Sequence, residues 1–388
     1  MAHPNMHMDR RLEGKVCVIT GGTVRFACLV CSVVKQRELR RDHSVALRLC
    51  PAPPPRRAPR RAPLERSCTT TRSRFLCFRS TSAPRFRCQP PPDGPLADSL
   101  RHFLFPQSGI GRDTVQRYTE EGAKVLFCGR GEEAGNAIAE EYNTNDNCVY
   151  MKCDVMVEEE IEAVIEAAVA KWGRLDVLFN NAGGGGGLPS VAKVTQQAIH
   201  NTFALNFDSM CYGIKHAVPH MKKQRTASII NNTSIAAHRA GFGDALYSAA
   251  KSAMESYGRL AAMELAPDGI RVNAIAPGAT ATPIFWSGSP GSARGATLSD
   301  EDNAVRQAKV EANIVNNVSP LRIGRSGTGM DIAQTAVFLA SDESEWITAQ
   351  DFIVDGGITT FDAPNKGWMA DKPMVDPVPI RANHPSKL

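Results

Sequence analysis

The stretch Val16-Cys17-Val18-Ile19-Thr20-Gly21-Gly22-Thr23 decides the fold. Its apolar residues form a run too short for a buried helix. They read as a strand buried on both faces, and that strand runs directly into a glycine turn. The turn is left unfinished at Thr23. Ser108-Gly109-Ile110-Gly111-Arg112 completes it on the far side of a segment of different composition. Joined, the two pieces read T-G-G-T-S-G-I-G, and a helical pattern follows over residues 110–121. Glycines at such a junction let the backbone approach a pyrophosphate. The helix that follows offers its N-terminal N–H groups and its dipole to the same anion.

Working outward, the chain alternates between two periods. Short apolar runs at residues 125–128, 149–153, 177–179, 228–231, 271–275 and 352–354 predict strands. Helical patterns lie between them at 132–142, 161–172, 198–221 and 247–265. Short, continuously apolar strands separated by helices predict an α/β fold: a doubly wound parallel sheet of about seven strands, covered on both faces. Ligands in such sheets bind beyond the carboxyl ends of the strands. The organisation read here is one Rossmann domain from residues 1–23 plus 108–365, an irregular insertion at 24–107, and a tail at 366–388.

The insertion carries the charge anomaly. The protein has 388 residues and a net charge of +5, yet the 84 residues from 24 to 107 hold 16 Arg and 1 Lys against 5 acidic residues. They also hold 12 of the 25 prolines and 6 of the 11 cysteines, with no sustained helix or strand period. The basic balance therefore says nothing about partners of the rest. Closing a flexible loop of this length costs only about 4 kcal/mol, so the sheet can still form around it. The phosphate turn, in contrast, needs one continuous backbone path. Val24 is encoded by GTN and Gln107 can be CAG, the boundary bases of an intron, and the length is whole codons. A translated, unspliced intron is one reading. A genuine basic insertion, making the chain a cofactor-dead scaffold or a nucleic-acid binder, is the alternative.

Other classes are excluded on composition. With 43% hydrophobic and 22% charged residues the chain is not of a disordered class. The longest apolar candidate, residues 26–34, falls far short of the roughly 18 needed to span a bilayer. Residues 1–11 are polar and lack the apolar core of a signal peptide. In so long a chain without an export signal, the eleven cysteines read as reduced thiols. Cys28 and Cys31 have metal spacing but no second pair follows. His216 and His220 are four apart with no carboxylate near them in sequence, so no metal site is assigned. Gly183 starts a run of five glycines that reads as a flexible loop.

The chemistry lies at the later strand ends. Asn180-Asn181-Ala182-Gly183 follows the fourth strand, Asn206 lies in the next helix, and Ser234 follows the fifth strand. Tyr247 and Lys251, four apart, share a helix face. Such a pair is also an ordinary feature of helix surfaces. A phenol with a pKa near 10 is a poor base at neutral pH, but a neighbouring ammonium stabilises its phenolate. With Ser234 to hold a substrate oxygen, the set can pass a proton within a carbonyl–alcohol couple.

Together these motifs resemble the short-chain dehydrogenase/reductase family, over residues 12–23 plus 108–361. The family's T-G-x-x-x-G-x-G pattern matches Gly21, Gly109 and Gly111 once the insertion is removed. Its Asn–Ser–Tyr–Lys tetrad matches Asn206, Ser234, Tyr247 and Lys251 at spacings of 28, 13 and 4. Pro277-Gly278-Ala279-Thr280-Ala281-Thr282 resembles its P-G-x-x-x-T element, and Asp355-Gly356-Gly357 its end-of-sheet signature. The resemblance implies that Tyr247 is the general acid or base and that Lys251 lowers its pKa and holds the nicotinamide ribose. It implies that Ser234 orients the substrate oxygen and that Asn206 holds a water leading to solvent. It further implies cofactor contacts from Gly21, Thr23, Ser108, Gly109, Ile110 and Gly111 at the phosphates, and from Asp154 and Val155 at the adenine. Asn181, Ala182, Gly183, Pro277, Gly278, Thr280 and Thr282 would lie along the remainder.

Finer expectations follow. NAD-preferring members place an acid at the end of the second strand. Here Gly129 stands there, followed by Arg130, which favours NADP over NAD, although Glu132 and Glu133 are close by. A lid is expected between residues 283 and 320, with Ile284, Phe285 and Trp286 at the entrance, a mobile-looking stretch at 287–295 and a lid helix at 301–316. Retention of all four tetrad residues favours a small-molecule secondary alcohol or ketone over an enoyl thioester. By resemblance the protein is a homodimer or homotetramer built on the helices carrying Asn206 and Tyr247. Ser386-Lys387-Leu388 matches the peroxisomal address, implying an import receptor as partner.

Overall fold

One strand shows where the core lies. In the computed structural model, β1 (Val16–Thr20) is buried along its whole length. Val16 and Val18 pack into the cluster on one face of the sheet, Cys17 and Ile19 into the cluster on the other. The same division recurs at Leu126 against Val125 and Phe127, and at Leu178 against Val177 and Phe179. Strands apolar on both faces cannot show a period of two, which is why they read as unbroken runs. Each Val, Leu or Ile taken from water contributes about 1.5–3 kcal/mol.

The structure describes residues 11–21, 109–185, 190–224, 226–282, 285, 299–321 and 323–360. Thr23, Ser108, the insertion at 24–107 with Cys28 and Cys31, Ile284, Trp286, residues 287–295 and the tail with Ser386-Lys387-Leu388 lie outside them.

After β1 come α1 (Ile110–Glu120), β2 (Lys124–Gly129), α2 (Glu132–Tyr142), β3 (Cys148–Lys152), α3 (Glu158–Trp172) and β4 (Val177–Asn180). Then follow α4 (Gln196–Phe203), a π-helical stretch (Ala204–Asp208), α5 (Ser209–Met221), β5 (Ala227–Asn232) and α6 (Ala245–Leu265). The chain continues with β6 (Ile270–Pro277), α7 (Asp300–Asn313), α8 (Gly329–Ala340) and β7 (Asp351–Val354). The seven strands form one parallel sheet in the order β3-β2-β1-β4-β5-β6-β7. Residues of α1, α2 and α8 cover one face, those of α3, α5 and α6 the other. The direction of winding reverses between β1 and β4, and the crevice this opens lies beyond Thr20 and Asn180.

Two elements depart from the sequence reading. The single helix expected over 198–221 is three pieces, because Asn206 Nδ2 donates to the Thr202 carbonyl at 2.8 Å, an oxygen that a regular helix offers to the residue 206 N–H. α8 was not anticipated, although Ile332, Ala333, Ala336, Val337 and Ala340 make a helical stripe that is fully buried. The helix expected over 301–316 is present as α7, continued by a π-helical stretch (Ile314–Val318). His216 and His220 do have carboxylate neighbours, supplied by α3: His216 Nε2 lies 3.0 Å from Glu158 Oε1, and His220 Nε2 lies 2.7 Å from Glu166 Oε1. No group of three potential metal ligands occurs among the described residues. No helix among them is long and apolar enough to cross a membrane.

Candidate active site

Gly21 ends β1 with φ +69°, a left-handed conformation that disfavours side chains, and a Cβ there would collide with Ala182. Its N–H donates to the Cys128 carbonyl at 3.1 Å, and its own carbonyl accepts from Asn181 Nδ2. The turn is thereby fixed from β2 and from β4. On the far side, Gly109 is the N-cap of α1 in an extended conformation with no side chain capping the helix, and Ile110 and Gly111 follow. The N-terminal N–H groups of α1 therefore face the crevice without a side-chain acceptor from the cap, which suits a pyrophosphate.

Asparagines lock the strand ends beneath. Asn180 Nδ2 donates to Asn231 Oδ1 and Asn232 Nδ2 to Asn181 Oδ1, both at 2.9 Å, joining β4 to β5 in two successive rungs. Gly213 and Gly258 stand where their helices pass the first rung, and a Cβ at either would press on Asn180 or Asn231. Neither Asn231 nor Asn232 was singled out from the sequence.

Asn206 is fully buried and clamps Gly184. Its Oδ1 accepts the Gly184 N–H and its Nδ2 donates to the Gly184 carbonyl, both at 2.8 Å. A Cβ on Gly183 would stand 2.6 Å from Lys251 Nζ and 2.9 Å from Asn206 Oδ1. Gly183 is thus required by close approach, where the backbone meets both tetrad side chains.

β5 delivers Ser234 just past its end, where the hydroxyl caps a short 3-10 turn by accepting from the Ala236 N–H at 3.2 Å. α6 begins two residues earlier than the sequence suggested. Asp244 is its N-cap and accepts the Tyr247 N–H at 2.9 Å. That cap sets Tyr247 in the first turn, facing Ser234, with which its phenol hydrogen-bonds. Lys251, one turn on, is 2% exposed; Nζ donates to the Asn232 carbonyl at 2.7 Å and lies 5.6 Å from the Tyr247 ring centre. Asn206, Ser234, Tyr247 and Lys251 are thus brought together at the carboxyl ends of β4 and β5.

Burial dominates the electrostatics of the pair. Burial pushes the Tyr247 phenol well above its ordinary range; the Ser234 hydrogen bond draws it down and Asp244 adds to the rise. Burial takes the Lys251 ammonium down to about 7, with Glu255 pulling the other way.

The remaining candidates spread along the crevice. Pro277 closes β6, and the Gly278 N–H donates to Val354 at 2.9 Å. Thr280 and Thr282 are buried, Thr280 pairing with Gly327 and the Ala281 N–H donating to Gly327 at 2.8 Å. Asp355 folds Asp355-Gly356-Gly357 back on itself, accepting the Gly357 and Thr359 N–H groups at 2.7 Å each. At the other end, Arg130 is exposed just past β2, Asp154 Oδ1 accepts the Met156 N–H at 3.1 Å, and Val155 is in the core.

Relatives bear on this geometry. The family model described as enoyl-(acyl carrier protein) reductase matches residues 105–359. The chain is 36% identical over 254 residues to short-chain dehydrogenase reductase ATA1 of Arabidopsis thaliana, covering 65% of this chain and 89% of the relative. It is 31% identical over 254 residues to (+)-borneol dehydrogenase 2 of Salvia officinalis, covering 65% and 86%. Tropinone reductase-like 2 of Erythroxylum coca is 34% identical over 253 residues, covering 64% and 86%. A crystal structure of a candidate short-chain dehydrogenase/reductase from Burkholderia xenovorans shares the fold with a TM-score of 0.58 at 23% identity, covering 91% of this chain and 99% of that one. With the sheet order, the glycine turn and the assembled tetrad, these matches show that the chain belongs to the short-chain dehydrogenase/reductase family of oxidoreductases.

Proposed function

We propose that the protein is an NADP-preferring oxidoreductase acting on a secondary alcohol or its ketone, with Tyr247 carrying the proton. The observation that carries this is the meeting of Ser234, Tyr247 and Lys251 at one strand end, with Lys251 Nζ 5.6 Å from the Tyr247 ring centre. The nicotinamide, when bound, supplies or accepts the hydride. In reduction Ser234 and Tyr247 hydrogen-bond the carbonyl oxygen, Tyr247 gives it a proton, and Lys251 offsets the phenolate that remains. In oxidation the same phenolate takes the alcohol proton. Ring-borne alcohol and ketone names among the relatives support a carbonyl–alcohol couple. Arg130, beside the small Gly129, supports NADP.

The remaining readings stand on separate supports. Exposed Ile199 on α4 and Tyr257, Leu260 and Met263 on α6 support a homodimer or homotetramer built on the helices around Asn206 and Tyr247. Ser386-Lys387-Leu388 supports import into the peroxisome, and a fluorescent fusion ending in Leu388 that stays in the cytosol overturns it. Boundary codons and composition support a translated intron at 24–107; its presence in most mature messages overturns that.

The reaction is tested by following NADPH absorbance in the chain with Thr23 joined to Ser108. Cyclohexanone and camphor serve as ketone probes, and crotonyl-CoA as the enoyl thioester probe. Turnover of a ketone and not of crotonyl-CoA is expected. The reverse pattern overturns the carbonyl–alcohol assignment.

A further inference from the structure

The end of β2 lacks the acid that NAD-binding sheets ordinarily place there for the ribose hydroxyls. Gly129 occupies that position, and the register of the sheet shows what stands beside it. Gly129 pairs with Lys152 of β3, and the ladder runs one residue further, the Cys153 N–H donating to the Gly129 carbonyl at 2.8 Å. Paired residues of neighbouring strands share a face of the sheet. On this face Phe127 and Tyr150, paired two residues earlier, pack with ring centres 5.4 Å apart. The next pair along is therefore a glycine, with no side chain to fill the place of the acid, and a lysine.

That lysine stands among the charges of the turn between β2 and α2. Lys152 Nζ lies 3.4 Å from Glu132 Oε2 in the first turn of α2, with both side chains mostly exposed. So exposed an ion pair is weak and readily exchanged for a stronger anion. The turn itself is held from β3. Tyr150 donates its hydroxyl to the Gly129 carbonyl at 2.8 Å, and a Cβ on Gly135 of α2 would collide with its ring. Arg130 and Glu132 are thereby kept at set places relative to Lys152. Two cations, Arg130 and Lys152, flank the position without an acid; Glu132 and Glu133 are the anions of the same turn, and Asp154 follows the end of β3.

We propose that Lys152 is a specificity-determining residue: with Arg130 it supplies the positive charge that receives the 2′-phosphate of NADP, and Glu132 is the anion which that phosphate displaces. This rests on the NADP reading and adds to it a second cation and a competitor. A phosphate monoester brings about 1.5–2 negative charges at pH 7 and three acceptor oxygens, so it competes for the ammonium more strongly than one carboxylate does. The ribose hydroxyl of NAD is uncharged and leaves the Lys152–Glu132 pair intact. Lys152 therefore adds to the preference for NADP, and Glu132 subtracts from it.

Adenosine 2′-monophosphate and adenosine are the probes, titrated into the full chain by calorimetry, because neither carries a pyrophosphate and neither needs the turn at Gly21. The monophosphate is expected to bind more tightly. Lys152→Met should cut that advantage by about fivefold, Lys152→Arg should largely keep it, and Glu132→Gln should raise it about threefold. A merely structural role for Lys152 would move both probes together. An advantage unchanged in Lys152→Met overturns the proposal; if it is nonetheless lost in Arg130→Met, the NADP reading stands without Lys152. Equal affinity for the two probes in the unaltered chain, or no measurable binding of either, overturns that reading and the proposal together. The titration involves no turnover, so its outcome is independent of Tyr247.

Discussion

The two helices that face the crevice begin differently. α6 closes its own N-terminus, because Asp244 accepts the Tyr247 N–H and leaves the first turn rigid. α1 begins at Gly109, which offers no side chain for the purpose. A capped helix end has its N–H groups engaged, whereas one capped by glycine keeps them for an external anion. The same structural device, a helix N-terminus at a strand's carboxyl end, thus serves positioning in one place and binding in the other. What separates them is one side chain at each cap.

The strongest way to break this division lies on α6. Tyr247→Phe keeps the ring and its packing but removes the proton carrier. Turnover should fall by about 10²–10⁴-fold with cofactor affinity little changed. Near-normal steady-state rates in the variant would remove Tyr247 from the mechanism.

The complementary change is on α1. Gly109 is extended, and a Cβ there meets nothing within 4 Å, so Gly109→Asp is sterically open. The new carboxylate would cap α1 and occupy the place of the phosphates. Apo stability should rise by a few tenths of a kcal/mol, and NADP affinity should drop by at least about tenfold. Titration calorimetry on the chain with Thr23 joined to Ser108 reads both partners of that trade. Unaltered affinity would show that the α1 terminus does not receive the phosphates.

Asp244 gives a smaller, separable effect. Asp244→Ala should lower stability by about 1 kcal/mol through loss of the cap, as denaturant unfolding would show. Asp244→Asn keeps an acceptor but removes the charge that raises the Tyr247 phenol, so its activity profile should move toward lower pH. Equal losses of stability in both variants would contradict the capping role.

The smallest expected effect returns to α1. Asp113, half-buried against the start of α8, has its carboxyl pushed up by burial to about 7, Arg112 opposing and Asp331 adding. A raised carboxyl binds its proton more tightly folded than unfolded, so this group's contribution to stability falls as pH rises from about 4 to 7. Asp113→Asn should therefore raise the melting midpoint at pH 8 and leave it little changed near pH 4. A uniform shift at both values would show that Asp113 does not titrate in that window.

Much of this was legible before any coordinates, for particular reasons. The strands stood out because burial on both faces makes each a continuous apolar run, and the observed ends differ by a residue or two. The tetrad was readable because Ser234, Tyr247 and Lys251 are ordered by local elements, a strand end and one helical turn. α8 was missed although its stripe of Ile332, Ala336 and Val337 has a plain helical period, and the break at Asn206 was missed because it depends on a side chain competing for the Thr202 carbonyl. Asn231 and Asn232 look like ordinary strand-end residues until β4 brings Asn180 and Asn181 alongside. The direction of the Tyr247 shift also depends on burial, which no spacing rule conveys.

The most direct measurement is the melting midpoint with and without NADP and NAD, in the full chain and in the chain with Thr23 joined to Ser108. Joining them places Gly21, Gly109 and Gly111 on one turn leading into α1. Ligand binding to the folded state adds about 2.7 kcal/mol at a hundred times the dissociation constant, which is readily seen as a shift. A rise confined to the joined chain, larger with NADP than with NAD, is the expected result. Equal rises in both chains, or no rise in the joined one, would contradict a cofactor cradle formed by Gly21 and the open end of α1.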